Sequence, residues 1–152
     1  LEDQINLQMG TFSKAAGLSG GYICGSRNMI DFLINKARSF IYSTAPAPSL
    51  AATISDCLDL IAGDEGAALR SALWSNIQSF NTDATSAIIP LIIGDNGATL
   101  AASQTLHKSG YLVPAIRYPT VSKGTARLRI TFSANHLPEQ IKGLKEALTS
   151  LN

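Results

Sequence analysis

The pattern of apolar and polar positions divides this chain into two stretches of different character. Ile5 to Met9 is a short apolar run that predicts a buried strand, and Tyr22 to Cys24 predicts a second. Between them, Thr11 to Gly21 is dense in small residues. Arg27 to Arg38 has helical spacing, with Met29, Ile30, Leu33, Ile34 and Ala37 on one face. Phe40 to Tyr42 predicts a short extended piece. Ser43 to Pro48 predicts a turn, because Pro46 and Pro48 forbid a regular helix there. Ser49 to Ala62 is rich in Ala, Leu and Ile and nearly free of charge, which predicts a well-buried helix ended by Gly63.

Beyond Gly63 the pattern changes. Asp64 is placed to cap a more polar helix from about Glu65 to Phe80. Ile88 to Ile93 predicts a strand, Gly97 to Lys108 a helix closed by Gly110, and Leu112 to Ile116 a further strand. Asp95 and Asn96 read as a turn and N-cap. Arg127 to Ser133 alternates strictly, with Leu128, Ile130 and Phe132 on one face and the polar residues on the other. Pro138 opens the last helix, to about Leu151. Strands alternate with helices, so the class is α/β or α+β. The natural boundary lies near Gly63, giving segments 1–63 and 64–152. A strand as apolar as Ile5 to Met9 needs neighbours on both sides, and only Tyr22 to Cys24 is at hand. The chain therefore reads as a piece of a longer protein.

Composition narrows the function. The chain has 152 residues, 45% hydrophobic and 15% charged, with a formal net charge of +1. Basic residues are dispersed, so no nucleic-acid stripe or polybasic membrane patch is visible. No apolar stretch has the length of a membrane span. Cys24 and Cys57 are far apart and read as buried small apolar residues of a reducing compartment, not as a disulfide framework or metal site. His107 reads as a residue of a polar helix face, and His136 as a helper in capping the last helix.

The chemistry concentrates around Lys14, in Thr11-Phe-Ser-Lys14-Ala-Ala-Gly17-Leu-Ser-Gly20-Gly21-Tyr-Ile. A lysine among small residues after an apolar strand can be partly desolvated, which frees its amine for a Schiff base. The glycines allow a flat ring or a phosphate close to the backbone, and Thr11 and Ser13 offer hydroxyls. On local pattern alone the plainer reading, a glycine-rich turn with a solvated lysine, stands ahead. Two further segments carry candidates: Phe40-Ile-Tyr-Ser-Thr44-Ala-Pro46-Ala-Pro48, and the stretch from Ala115-Ile-Arg117-Tyr-Pro119-Thr120 through Gly124-Thr-Ala-Arg127-Leu-Arg129. Arginine suits a carboxylate through its planar two-pronged donors. The plainer readings are capping by Ser43 and Thr44, and a wet sheet face for the arginines.

These three segments together resemble the α-oxoamine synthases, a family of pyridoxal-phosphate (PLP) enzymes. The resemblance runs from the first residues to the last and covers the C-terminal part of the family's chain. It implies the fold of PLP fold type I, with 1–63 as the end of the cofactor-binding large domain and 64–152 as a small α/β domain with a mainly antiparallel sheet. It implies Lys14 as the cofactor-bearing and catalytic lysine, Thr11 as a phosphate ligand, and Thr44 as a phosphate ligand for the partner subunit of a homodimer. It implies Arg129 as the holder of the amino-acid carboxylate and Arg117 as part of the loop that meets the acyl substrate. Arg127 reads as structural. The Arg117–Arg129 stretch is closest to the branch that condenses L-alanine with a pimeloyl thioester, on coenzyme A or a carrier protein, for biotin synthesis in the cytoplasm. Tyr118 and Ser122 depart from it, standing where that branch has proline. Other branches share the lysine and the last arginine. The family's ring-nitrogen carboxylate and ring-stacking histidine belong to an upstream segment, so this chain alone is expected to be inactive. A fragment serving only folding or interaction is the reading from another class.

Overall fold

A computed structural model describes residues 4–151. The chain separates into two compact units, Leu1–Gly66 and Ala67–Asn152.

In the first unit, β1 (Leu7–Thr11) and β2 (Gly21–Gly25) form an antiparallel pair, with Leu7 opposite Gly25 and Thr11 opposite Gly21. The strand begins two residues later than its apolar run suggests, because the hairpin register and not hydrophobicity sets its start. Its other edge has no partner among the described residues. Ser26 caps α1 (Arg27–Lys36) by accepting from the Met29 N–H at 3.4 Å. The expected single helix to Arg38 is broken at Ala37, whose ψ of 99° is extended. The piece expected to be extended, Phe40 to Tyr42, lies instead on a short helix, α2 (Arg38–Ile41), and its C-cap. Its turn closes through Ile41 N–H to Ala37 O and Tyr42 N–H to Arg38 O, both 3.0 Å. The Arg38 guanidinium lies 5.3 Å from the Tyr42 ring centre. Local hydrogen bonding and this contact outweigh the strand preference of the aromatic residues.

α3 (Pro48–Ala62) starts where the prolines require, with Pro48 in its first turn. It buries none of its residues, and neither do α1 and α2. The expectation of a well-buried helix fails here because apolar composition creates a core only where a second surface meets it. Cys24, expected to be buried, is exposed, and Cys57 is half-buried.

The second unit is built differently. A three-stranded antiparallel sheet has the order β3 (Ile88–Gly94), β5 (Ala126–Thr131), β4 (Ala115–Ile116), with β5 central. β4 is shorter than its apolar run, since only Ala115 and Ile116 enter the ladder. Leu106 of α5 (Asn96–Lys108), Val113, Leu128 and Ile130 of β5 and Leu144 of α6 (Pro138–Thr149) form one buried cluster. Each such side chain contributes roughly 1.5–3 kcal/mol on burial. Ile77 of α4 (Asp64–Phe80) is also fully buried, and the Phe80 and Phe132 rings meet in a tilted pair with centres 5.1 Å apart.

Polar ties complete the unit. Asp95 caps α5, accepting from the Ala98 N–H at 2.8 Å. Asn76 donates to the carbonyls of Ser133 and His136 at 3.0 Å, tying α4 to the turn before α6. The Lys145 ammonium donates to Ser79 O at 2.7 Å, near the C-terminal end of α4, where a cation is favoured. His136 does not cap α6: its Nδ1 accepts from the Ser133 N–H, and Gln140 Oε1 accepts from the Leu137 N–H instead. No helix among the described residues is long and apolar enough to cross a membrane.

Candidate active site

In the first unit the β1–β2 loop carries Thr11 and Lys14. It is an ordered structure and not a slack glycine tract. Phe12 N–H donates to Gly20 O at 3.0 Å, Leu18 N–H to Phe12 O at 2.9 Å, and Gly17 N–H to Lys14 O at 3.0 Å. Two of these turns need glycine, since Gly17 has φ 64° and Gly20 φ 116°. The Phe12 and Tyr22 rings meet at 5.1 Å and anchor the loop to its own hairpin.

Lys14 projects from the tip of this loop. It is exposed, and no group among the described residues pairs with its ammonium. Within this chain its small neighbours leave the long side chain uncovered. At the end of β1, the Thr11 hydroxyl donates to Gly20 O at 3.0 Å and accepts from the Ser13 N–H at 3.2 Å. Since that donation uses its proton, the 2.8 Å contact between the Thr11 and Ser13 hydroxyls has Ser13 as donor. Two linked hydroxyls and an unpaired amine therefore share one loop.

Thr44 lies on the connection between α2 and α3, exposed. The capping alternative for Ser43 and Thr44 is set aside by geometry: the N-cap of α3 is Ala47, and Ser43 Oγ donates back to Ser39 O. This leaves the Thr44 hydroxyl uncommitted among the described residues.

In the second unit, Arg127 and Arg129 sit on β5 on the face away from the buried Leu128 and Ile130. They differ sharply. Arg127 is half-buried, and its Nε donates to Thr125 O at 3.0 Å. Arg129 is exposed, and no side-chain partner for it exists among the described residues. Arg117 follows β4 in the loop back to β5. Its carbonyl accepts from the N–H groups of Thr120 (2.9 Å) and Val121 (3.3 Å). Tyr118 and Ser122, the two departures from proline, both make contacts within this loop. The Ser122 carbonyl accepts from Thr125 N–H and Thr125 Oγ1, and Lys123 Nζ lies 5.3 Å from the Tyr118 ring centre.

The Thr11–Lys14 loop offers an amine and two hydroxyls, groups that could hold an aldehyde cofactor and its phosphate. A carboxylate for the ring nitrogen is not in it, since residues 10–21 contain no acid. Among the described residues no three His, Cys, Asp or Glu side chains converge as metal ligands would.

The fold and the residues of this loop define a class, and comparison with known proteins agrees: the chain belongs to the aminotransferase class I and II family, matched over residues 1–148. The span includes Thr11, Lys14, Thr44, Arg117 and Arg129. The chain is 45% identical over 152 residues to the 8-amino-7-oxononanoate synthase of Herminiimonas arsenicoxydans, a match covering 93% of this chain and 39% of that protein. It is 44% identical to the enzyme of the same name from Beijerinckia indica subsp. indica, over 97% of this chain and 39% of the relative. Among solved structures, serine palmitoyltransferase with a PLP–myriocin aldimine, from S. paucimobilis, superposes with a TM-score of 0.87 at 25% identity. That superposition covers 99% of this chain and 40% of the solved one. The chain thus spans about two fifths of the length of the relatives it matches.

Proposed function

We propose that the protein to which this chain belongs condenses L-alanine with a pimeloyl thioester, with loss of carbon dioxide, to form 8-amino-7-oxononanoate for biotin synthesis. The observation that carries this reading is the 45% identity to relatives named for that product, extending over 93% of the chain. Likeness in shape to serine palmitoyltransferase comes with only 25% identity, so it speaks for the fold and chemistry shared across the family and not for palmitoyl transfer.

Bound pyridoxal 5'-phosphate supplies the electron sink for such a reaction. The residues of this chain divide the remaining work. Lys14 holds the cofactor through its unpaired Nζ and, once displaced, moves the α-proton of the amino acid. Thr11, with Ser13, turns its hydroxyl from Gly20 O to the cofactor phosphate, a rotation a hydroxyl makes freely. Thr44 serves the phosphate in the partner subunit, so the complete enzyme is a homodimer with shared sites. Arg129 holds the alanine carboxylate with its unengaged fork of donors. Arg117 stands in the loop that meets the acyl thioester, whether the thiol belongs to coenzyme A or a carrier protein. We place the reaction in the cytoplasm, where Cys24 and Cys57 stay reduced.

The test uses the full-length protein with PLP. Borohydride reduction is expected to label Lys14, and Lys14→Ala to abolish the label. An undiminished adduct on another lysine sinks the assignment. Arg129→Ala is expected to weaken alanine binding by roughly 2–4 kcal/mol, the scale of a lost charge-assisted, two-pronged contact.

A further inference from the structure

The three strands of the second unit contain no acidic residue. One face of β5 packs into the core through Leu128 and Ile130. On its other face the register places Arg127 between Ile92 of β3 and Ile116 of β4, Arg129 opposite Pro90, and Thr131 opposite Ile88. Directly opposed residues share a face. Ile92 is 61% exposed and Ile88 49%. An apolar strip along β3 therefore runs beside two guanidinium groups, with no carboxylate on the strands to neutralise them. From Ile88 to Ile92 it extends about 13 Å, at about 3.4 Å per residue.

Such a face has the chemistry of an amphiphile with a carboxylate end. Methylene groups gain by lying on isoleucine and proline, and an anion gains at an arginine. The two arginines are not equivalent in this role. The bond from Arg127 Nε to Thr125 O fixes the plane of the guanidinium, and half-burial removes part of its water. Its terminal Nη groups have no partner among the described residues. A guanidinium already oriented and partly desolvated gives up less freedom and less hydration when it grips a carboxylate. Apolar side chains flank it on both sides, as a chain arriving at its terminal carboxylate requires.

We propose that this sheet face takes the acyl chain of a dicarboxylic thioester, with Arg127 holding the carboxylate remote from the thioester and Ile92 and Ile116 bordering the methylenes. Arg127 is then the residue that selects a dicarboxylic over a plain acyl group, and not merely a structural arginine. The proposal rests on the acyl-transfer reading above, and names the residue by which the acyl partner of that reaction is recognised.

The experiment is a titration of the 152-residue chain with two probes, followed by NMR of the isoleucine methyls. Monomethyl pimelate has a free carboxylate and an ester in place of the thioester; methyl heptanoate has the same length and no charge. Monomethyl pimelate is expected to bind about tenfold more tightly, the scale of one charge-assisted contact on a partly exposed face. Arg127→Gln removes this advantage, and Arg129→Gln leaves it in place. Arg127→Lys, which keeps the charge and loses the fork, leaves only part of it and covers the case in which the glutamine variant unfolds. Ile92→Ser, at an exposed position, weakens both probes alike. Equal binding of the two probes, binding of neither, or an advantage that disappears with Arg129 and survives loss of Arg127 overturns the proposal. Neither PLP nor Lys14 takes part, so failure here is distinct from failure of the Lys14 labelling experiment.

Discussion

The two units use similar residues to opposite effect. The first contains α3, a helix rich in Ala, Leu and Ile, and the apolar strands β1 and β2, yet every buried hydrophobic side chain of the described structure lies in the second. Met9 is 79% exposed in the first, whereas Leu128 is completely buried in the second. The second unit closes around Leu128 because helices α5 and α6 bring Leu106 and Leu144 to its sheet. The first has a two-stranded sheet and helices α1 to α3, whose apolar faces are at most half-buried, as at Ile30, Leu33, Ile54 and Cys57. Hydrophobic composition measures how much surface asks to be covered; a core also needs the surface that covers it.

The largest test of this contrast is dissection. Residues 67–152 alone are expected to unfold cooperatively, and residues 1–66 alone to show no cooperative transition. Thermal circular dichroism and amide dispersion in NMR decide it. A sharp transition for 1–66 breaks the comparison.

A smaller effect sharpens it residue by residue. Leu128→Ala should cost about 2–5 kcal/mol, the usual loss for a fully buried leucine. Leu58→Ala, on the exposed surface of α3, should cost no more than about 0.5 kcal/mol. Urea titration of the whole chain gives both values. Costs of similar size at the two sites contradict the unequal distribution of the core.

The smallest difference separates the two arginines of β5. Arg127→Ala removes the hydrogen bond to Thr125 O and should lower stability by about 1 kcal/mol. Arg129→Ala removes no side-chain hydrogen bond or ion pair among the described residues and should stay within about 0.5 kcal/mol. Thermal melts of the two variants distinguish them, and the reverse order sinks the assignment of anchored and unengaged roles.

Much of this was legible along the chain itself. The prolines at 46 and 48 set the turn and the start of α3, because a missing N–H and a locked φ act locally. Asp95 capped α5 for the same local reason. The alternation of Arg127 to Thr131 marked buried and open faces, since successive side chains of a strand point oppositely. The Lys14 segment, with its small residues and hydroxyls, carried the family resemblance. What needed tertiary structure was everything that depends on a second surface. The pairing register decided where β1 begins and that Ile92 and Ile116 border Arg127. The loop's own hydrogen bonds decided that the Thr11 proton is held by Gly20 O while Lys14 remains exposed. Whether an apolar helix is buried was decided by what packs against it: among the described residues α3 is covered no further than half-burial at Leu50, Ile54 and Cys57, whereas β5 is fully covered on its leucine face. Local sequence determines backbone geometry through short-range sterics and hydrogen bonds, and burial arises between elements distant along the chain.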